Sequence, residues 1–597
     1  MKVATLELFN AVPAKTGGDY IVLPEYGVII EPSASYAKNT ILSFLRAKKL
    51  SGTELNATFH KSWAKIENSS RAELLVHQIL HYLTTYGTGH TSSFVYVPNE
   101  ELNVPANLTF TVIRGWTREQ FVEATLNMLK SGVALKSDTI DSVIGILNDF
   151  DYKFTGAEVV KNKEALMFLC QRFNALPKDP VEFVRYLIFL ATGTTLLIKS
   201  KSLYRSIEST INKKEVTKAL LEADTEVLAS VFNRFKPIFL SLKKSLTNVD
   251  TRAKINAISK ASKTAHVPMS YNILNNIGSC TVAELVAQRD NLLNANFFQL
   301  ARCIQFLKQN MSATDKVYQI RNGKTFAKSG KTLNSFQATE KIHLLIHILA
   351  EKYSLKGLKV YIPDDVFYAL PTSEKLYVGN VPFGSKFVSD NVALGVFWRN
   401  EGGARDIDLS AISADSKVGW NSYYNDGEVL YSGDMTNASP CATEYLYSKK
   451  SLQSDYLVTA NIFSGNPTGS KFNIIVGKGG NINKDYMMDP NAVWVTSATE
   501  SIKREGLVGL ITRDGDKNAA IVFHLGFGRS QVSYGGGKAD LMRSALVQRW
   551  KNCFYLNELL PYLGAEMVKD AAEADLDLSP NKLTRDSFTM LFSEKDK

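Results

Sequence analysis

One short stretch of the sequence places oxygen-bearing side chains at every second position. In GGARDIDLSA, Asp406, Asp408 and Ser410 alternate with Ile407 and Leu409. In a β-strand the three polar side chains would share one face, with neighbours about 6.6 Å apart. Two carboxylates at that separation repel each other, and a hard divalent cation with oxygen ligands relieves the repulsion. The alternative interpretation is a strand with one solvated face.

A second group of oxygen ligands follows in EVLYSGDMTNASPCATEYLY. Asp434 comes directly after a glycine, and Asn437 and Glu444 precede the next strand-like run. Ca²⁺ takes six to eight oxygen ligands, several of them carboxylates, and the two stretches together offer such a set. The first stretch does not complete an EF-hand, so its remaining ligands must come from elsewhere in the fold. The predicted Ca²⁺ ligands are Asp406, Asp408, Ser410, Asp434, Asn437 and Glu444.

These two stretches, together with YLVTANIFSG, resemble the TerD-type domain of tellurium-resistance and chemical-stress proteins. That family combines a D-x-D-x-S/A strand with a downstream S-G-D turn and an acidic residue before the next strand. Asp406 and Asp408 match the strand, Asp434 matches the turn, and Glu444 matches the acid. The resemblance covers residues 356–564. It implies a Ca²⁺-binding β-sandwich with a role in tellurite or stress resistance, or in phage-related defence.

Two histidine pairs have the spacing of a zinc-protease helix but lack its catalytic residue. His77 and His81 belong to HQILH, and His343 and His347 belong to HLLIH. Neither pair contains the glutamate that serves as general base in such helices. We interpret both pairs as structural residues of apolar helices. Since no nucleophile–base pair is evident either, we predict a binding, regulatory or scaffold protein and not an enzyme.

The segment 199–263 carries much of the positive charge of the chain. It contains fourteen Lys and Arg residues and six Asp and Glu residues, a net charge of +8, whereas the whole chain has +10. Such a balance indicates either an anion-binding surface or helices with lysine-rich solvent faces. The candidate nucleic-acid contacts are Lys213, Lys214, Arg234, Lys236, Lys243, Lys244, Arg252 and Lys254. A further alternative is a structural or assembly protein of a large phage, in which the sandwich is only a scaffold.

Composition and cysteine usage predict a soluble protein of the cytoplasm, in a bacterial or a phage-infected cell. The five cysteines are scattered and form no CxxC pair, which fits a reducing compartment. The N-terminus lacks the apolar core of a signal peptide. The longest uncharged apolar run, at 186–198, is shorter than the roughly 20 residues of a membrane span and is interpreted as a buried helix. We expect other proteins as the main partners.

The periodicity of apolar residues predicts an α+β chain of several parts. Strand-like runs, including VATLELF, fill residues 1–32. Helical spacing dominates 33–355, interrupted by the strand-like runs SSFVYVPNEE and NLTFTVIRGW. Short strands separated by Gly, Asn and Asp follow in 356–564, which ends in one helix, as expected for a β-sandwich with a terminal helix. Residues 565–597 are predicted to be a polar, loosely docked tail.

If the segment 199–263 binds nucleic acid, its affinity should depend steeply on salt. Phosphate contacts release counterions, so a protein with 6–10 such contacts loses about 10³–10⁵ in affinity between 50 and 200 mM salt. Fluorescence anisotropy with labelled DNA and RNA would measure this. An absence of binding at low salt would exclude the nucleic-acid alternative.

Overall fold

The chain folds into a helical N-terminal part followed by a strand-rich C-terminal part, which confirms the predicted α+β class. The computed structural model describes residues 2–83, 110–311, 315–319, 325–329, 332–400, 405–450, 452–464, 471–499, 505–527 and 537–593. Among the helices of these ranges, none has both the length and the apolar character needed to cross a membrane. The predicted run SSFVYVPNEE lies outside the described residues.

The α-helices lie mainly before residue 355. Their bounds are α1 Lys2–Phe9, α2 Lys38–Lys48, α3 Gly52–Leu55, α4 Trp63–Asn68, α5 Arg71–Tyr82, α6 Arg118–Lys130, α7 Ser137–Asp149, α8 Lys163–Phe173, α9 Pro180–Thr192, α10 Lys201–Glu208, α11 Lys213–Glu222, α12 Thr225–Ser245, α13 Val249–Ala265, α14 Val282–Ala287, α15 Arg289–Asn294, α16 Phe297–Asn310, α17 Ser335–Lys352, α18 Gly537–Lys551, α19 Leu556–Tyr562 and α20 Ser587–Leu591. The predicted helical region is therefore confirmed. The predicted buried helix at 186–198 is confirmed only for 186–192, which belong to α9, because the helix ends at Thr192 and Gly193 follows in the left-handed conformation with φ +72°.

The β-strands lie mainly after residue 355. Their bounds are β1 Ala11–Pro13, β2 Ile21–Leu23, β3 Val28–Ile30, β4 Thr111–Trp116, β5 Asp315–Gln319, β6 Thr325–Ser329, β7 Lys359–Tyr361, β8 Val366–Phe367, β9 Tyr377–Val378, β10 Val381–Pro382, β11 Ser385–Ser389, β12 Val392–Trp398, β13 Asp406–Ile412, β14 Lys417–Gly419, β15 Val429–Tyr431, β16 Ala442–Ser448, β17 Tyr456–Ser464, β18 Phe472–Lys478, β19 Val493–Thr499, β20 Glu505–Asp514, β21 Lys517–Phe527, β22 Glu566–Met567 and β23 Leu576–Asp577.

The N-terminal strands form a sheet that includes a strand from the helical region. Its order is β1-β4-β3-β2, and β4 pairs in parallel with both β1 and β3. The prediction that VATLELF is a strand is wrong, because these residues belong to helix α1. Thr5, Leu6, Leu8 and Phe9 are its buried residues, a spacing that matches one face of a helix. Packing of that face against α2 and α7 decides the conformation of this short segment.

Two stacked antiparallel sheets form the C-terminal part, as predicted for a β-sandwich. One sheet has the order β14-β13-β17-β20-β21-β11-β8 and the other β15-β16-β12-β18-β19. Strand β12 of the smaller sheet packs against β13, β20 and β21 of the larger one. Its sequence VALGVFW is apolar throughout, and every residue is buried.

The helical segment that follows the sandwich is divided in two, whereas the sequence predicted one helix. Helices α18 and α19 are separated by residues 552–555. Within this break the Phe554 N–H donates to Gln305 Oε1 at 2.8 Å, and the Phe554 carbonyl accepts from the Leu370 N–H at 3.2 Å. These backbone contacts to other parts of the fold replace the helical ones, so tertiary packing interrupts the helix.

The C-terminal segment is firmly packed up to residue 593, so the prediction of a loosely docked polar tail is wrong. Strands β22 and β23 pair in parallel with the two edges of β7. Phe588 and Phe592 are almost fully buried, and the Phe592 ring stacks on Phe297 with centroids 3.4 Å apart. These apolar residues are spaced widely among polar ones, which is why the average composition of the segment does not reveal them.

Arg585 joins this C-terminal segment to the N-terminal helices. Its guanidinium forms ion pairs with Glu7 of α1 at 2.8 Å and with Asp138 of α7 at 2.9 Å, and it donates to Thr139 Oγ1 at 3.0 Å. One cluster of buried apolar side chains also extends from α1 through the helices and both sheets to α20. The helical and strand-rich parts therefore share a core.

We predict that Phe588→Ala destabilises the protein by about 3–5 kcal/mol, because it removes a buried ring from the contact between α20 and the core. Met590→Ala, in the same helix but 55% exposed, should change the free energy of unfolding by at most about 0.5 kcal/mol. Denaturant unfolding of the full chain measures both, with limited proteolysis as a second readout. Equal behaviour of the two variants would contradict the docked position of the segment.

Candidate metal centre

Strand β13 presents the predicted acidic residues as the sequence indicated. Asp406 and Asp408 point away from the face that carries Ile407 and Leu409, both of which are fully buried in the sandwich. The two aspartates are nevertheless only 2% exposed each. A register shift between residues 406 and 407 marks the start of the pairing with β17. The polar face of the strand is therefore covered, and its interpretation as a solvated face is excluded.

A tight turn delivers the third carboxylate. The Asp434 turn, Ser432–Asp434, follows β15. The Ser432 N–H donates to Tyr445 O at 3.0 Å, and the Ser432 hydroxyl accepts from the Tyr445 N–H at 2.9 Å. Gly433 has φ +96°, and a Cβ at this position would lie 2.6 Å from the ring of Phe59. Only glycine fits both the backbone conformation and the close approach. The turn is thereby fixed against the N-terminal part.

Asp406, Asp408 and Asp434 converge on one point. One carboxylate oxygen from each lies within 4.8 Å of the others, a spacing that allows a shared metal ion. Asp406 Oδ1, Asp408 Oδ2 and Asp434 Oδ1 are buried and have no hydrogen-bond partner in the described part of the chain. Three uncompensated buried carboxylates are unfavourable, so they must either bind protons or bind a cation.

The surroundings raise the pKa of all three carboxyls. Burial, with the nearby Asp434, raises the pKa of Asp406 to about 7. Burial and both neighbouring aspartates raise the pKa of Asp408 to about 9, an effect that Lys417 and a hydrogen bond from Asn461 oppose. Burial raises the pKa of Asp434 to about 6. Each shift reflects the cost of a charge that lacks a counter-ion at this place.

Glu444 does not join this group, although it was predicted to be a ligand. Its Oε2 accepts from the Leu409 N–H at 2.8 Å and from the Tyr431 hydroxyl at 2.7 Å, and its Oε1 accepts from the Met435 N–H at 2.9 Å. Both oxygens therefore accept hydrogen bonds, and these bonds hold β13 next to Met435, the residue that follows Asp434. Glu444 supports the site and does not enter it.

The other two predicted ligands differ from each other in their surroundings. The Asn437 side-chain oxygen accepts from the Asn400 amide at 2.9 Å, so it serves a loop contact. Ser410 lies on the same face of β13 as Asp408, and its buried Oγ has no hydrogen-bond partner among the described residues. A metal ligand role is therefore compatible with Ser410 and is not supported for Asn437.

Helix α5 of the N-terminal part completes the surroundings of the site, which was not predicted. The Tyr82 hydroxyl, at the end of α5, donates to Asp434 Oδ2, and the Tyr424 hydroxyl donates to Gln78 one turn earlier. Gln78 and Tyr82 share a face of the helix, and such a polar pair on an apolar helix is the one local signal that pointed to a contact. The partners of this pair, Asp434 and Tyr424, lie more than 300 residues later in the chain, so the sequence pattern could not identify them.

Several backbone contacts hold the segment before α5 against the sandwich. The His60 N–H donates to Ser432 O at 3.0 Å, the Thr443 N–H to Ala57 O at 2.9 Å, and the Tyr445 hydroxyl to Leu55 O at 2.8 Å. The candidate metal centre therefore lies where residues 51–82 meet the sandwich, and residues 356–564 alone do not contain all of its surroundings.

The basic segment forms the predicted helices, α10 to α13. Lys243 donates to Asn256 at 2.7 Å and Lys244 pairs with Glu208 at 2.8 Å, so these two have partners within the segment. Arg252 Nε also donates to Leu246 O at 3.2 Å. The remaining candidate contacts lie on α11 (Lys213, Lys214), α12 (Arg234, Lys236) and α13 (Lys254), and α13 contacts both α11 and α12.

Comparisons with protein-family models, with curated proteins and with solved structures found no match to this chain. The resemblance to TerD-type domains thus stays a prediction, and the function must be argued from the site itself.

We predict that the metal-free protein loses stability as pH rises from 6 to 8. The pKa values of about 6, 7 and 9 in the folded state exceed the usual value of about 4 for an unfolded aspartate, so the folded state holds more protons in this range. Stability then falls with rising pH, by about 1.4 kcal/mol per pH unit for each proton held. Denaturant unfolding of the full chain in metal-free buffer measures this. Asp408→Asn should flatten the slope, and a stability that rises over the range would disagree with the protonation described.

Proposed function

We propose that the protein binds a divalent cation, Ca²⁺, through Asp406, Asp408 and Asp434. The observation that carries this proposal is the convergence of three buried carboxylate oxygens without hydrogen-bond partners within 4.8 Å. Carboxylates are hard oxygen ligands and can each supply one or two oxygens to a hard cation. The Ser410 hydroxyl is available as a further oxygen.

Calcium suits this site better than magnesium. Mg²⁺ requires near-ideal octahedral geometry and keeps several water ligands, whereas Ca²⁺ accepts irregular ligand sets. The three aspartates come from a strand and a separate turn and are 2% exposed each, so the site offers little room for a hydrated ion. The resemblance of these residues to the TerD-type pattern supports the same ion.

A bound ion would act as a structural and regulatory link and not as a catalyst. It would connect β13 to the Asp434 turn and, through the Tyr82 hydroxyl, to helix α5 of the N-terminal part. On this basis the protein is a Ca²⁺-dependent binding or scaffold protein of the cytoplasm whose partners are other proteins. The TerD-type resemblance supports a role in tellurite or stress resistance or in phage-related defence. The alternative is a structural or assembly protein of a large phage, in which the sandwich is only a scaffold.

Nucleic-acid binding is the second candidate, and one observation favours it. Lys213 and Lys214 are exposed at the first two positions of α11. The helix dipole disfavours cations at an N-terminus, and Glu215 in the same turn balances only one of the two lysine charges, so a bound anion would stabilise this end of the helix. Phosphate groups of a nucleic acid would supply such an anion.

Calcium should raise the melting temperature of the full-length protein. A ligand that binds only the folded state stabilises it by about 2.7 kcal/mol at a hundredfold excess over its Kd. We expect a smaller effect from magnesium. Asp408→Asn should weaken the response to calcium and raise the stability of the metal-free protein, because it removes a carboxyl that the metal-free fold can bury only in its protonated form.

Asp415→Asn is the matched control, since Asp415 is exposed near the end of the same strand. It should respond to calcium as the wild type does. A wild-type melting curve that calcium leaves unchanged, or an Asp408→Asn protein that responds fully, would show that the three aspartates do not bind this ion.

A further inference from the structure

Three histidines of the N-terminal part lie beside the Asp434 turn. The ring carbon Cδ2 of His60 is 3.0 Å from the position that a Cβ on the turn glycine would occupy. The His60 and His77 rings are neighbours, with centroids 6.2 Å apart, and His81 Nε2 lies 3.3 Å from Thr436 Oγ1. The helical spacing of His77 and His81 therefore does not produce a shared pair, because His77 faces His60 instead.

Two imidazole nitrogens of this group are buried without a partner. His60 Nε2 and His77 Nδ1 have no hydrogen-bond partner among the described residues. His60 as a whole is 4% exposed. Burial lowers the pKa of His60 to about 3, with smaller contributions from Lys65 and His77, so its ring is neutral at physiological pH. A neutral imidazole is the form that binds metal ions.

The ring separation is close to that of two rings that bind one ion. A zinc ion lies about 2.0–2.1 Å from a ligating imidazole nitrogen, so two rings that bind the same ion have centroids about 5–6 Å apart. The observed 6.2 Å is slightly longer than this range, so the two rings would have to approach each other by a few tenths of an ångström to bind one ion.

We infer that His60 and His77 form a second metal site, which takes a transition-metal ion of the Zn²⁺ class. Imidazole nitrogen is a ligand for zinc, copper and nickel, whereas calcium prefers oxygen. Both ligating nitrogens are buried, so water that fills the remaining positions of the ion would have to enter beside the half-buried His77 side chain. None of the three aspartates is a ligand in this arrangement, so the inference does not depend on the proposed calcium site.

An ordered water molecule is the competing explanation for the two nitrogens. A buried water that bonds to both rings would satisfy them equally well. The two explanations differ in one measurable respect, since only the metal site binds an ion in a fixed ratio to the protein.

The test uses full-length, untagged protein that has been stripped of metal and titrated with Co²⁺ and Zn²⁺. We expect one tightly bound ion per chain, and for Co²⁺ the visible absorption of nitrogen-ligated cobalt. His60→Gln and His77→Gln should each weaken binding by at least tenfold, because loss of a mere outer partner of a metal ligand already costs about 10–100-fold. His77→Gln changes a half-buried side chain, so this variant can test the inference on its own if the His60→Gln protein does not fold.

The matched control is the double variant His343→Gln, His347→Gln, which removes an exposed pair with the same helical spacing as His77 and His81. It should bind zinc and cobalt as the wild type does. Asp408→Asn should also keep the zinc site while losing the calcium response, which separates this inference from the proposed function. The inference would be overturned if the wild type bound no ion in a fixed ratio, or if binding survived both His60→Gln and His77→Gln. An ordered water molecule would then explain the two nitrogens.

Discussion

The burial of three carboxylates at one point is the constraint around which the strand-rich part is organised. Asp406, Asp408 and Asp434 cannot all be charged away from water unless a cation compensates them. The hydrogen bonds that Glu444 accepts from the Leu409 N–H and the Met435 N–H position the residues that follow Asp408 and Asp434, but they supply no positive charge to the aspartates. A chain that needed only a stable sandwich would be better served by apolar residues at these positions, because replacing buried charges by packed apolar groups is often stabilising.

The same site accounts for the way the two parts of the molecule meet. Residues 51–82 are attached to the sandwich by side chains as well as backbone: Trp63 Nε1 donates to Met487 O at 2.9 Å, and the Asn56 side chain bonds to Met487 and Met488 at 2.8–2.9 Å. These contacts position α5 so that its Tyr82 reaches Asp434. The charge of the carboxylates and the docking of the N-terminal part are therefore coupled, because the Tyr82 side chain belongs to the docked helix and bonds to one of the carboxylates.

Much of this site was readable from the sequence, and what was missed has a common cause. The two-residue period of DIDLSAI predicted β13 and its polar face, and the S-G-D turn predicted Asp434, because both signals are local. Glu444 was misassigned as a ligand because the sequence shows an acid but not the three donors that occupy it. Tyr82 and His60 were missed because their contacts are with residues more than 300 positions away. Helix α1 was mistaken for a strand because tertiary packing, and not local pattern, determines such short segments.

The ion pairs of Arg585 have a consequence for the order in which the molecule is built. Glu7 and Asp138 are synthesised well before the arginine that pairs with both, which follows Asp138 by more than 400 residues. The ring of Phe592, which stacks on Phe297, arrives equally late. Contacts of such long sequence separation form slowly, since the entropy of closing the loop opposes them. The surface of the N-terminal helices that Arg585 and Phe592 cover therefore stays exposed until these residues have been synthesised, and exposed apolar surface of this kind favours aggregation during folding.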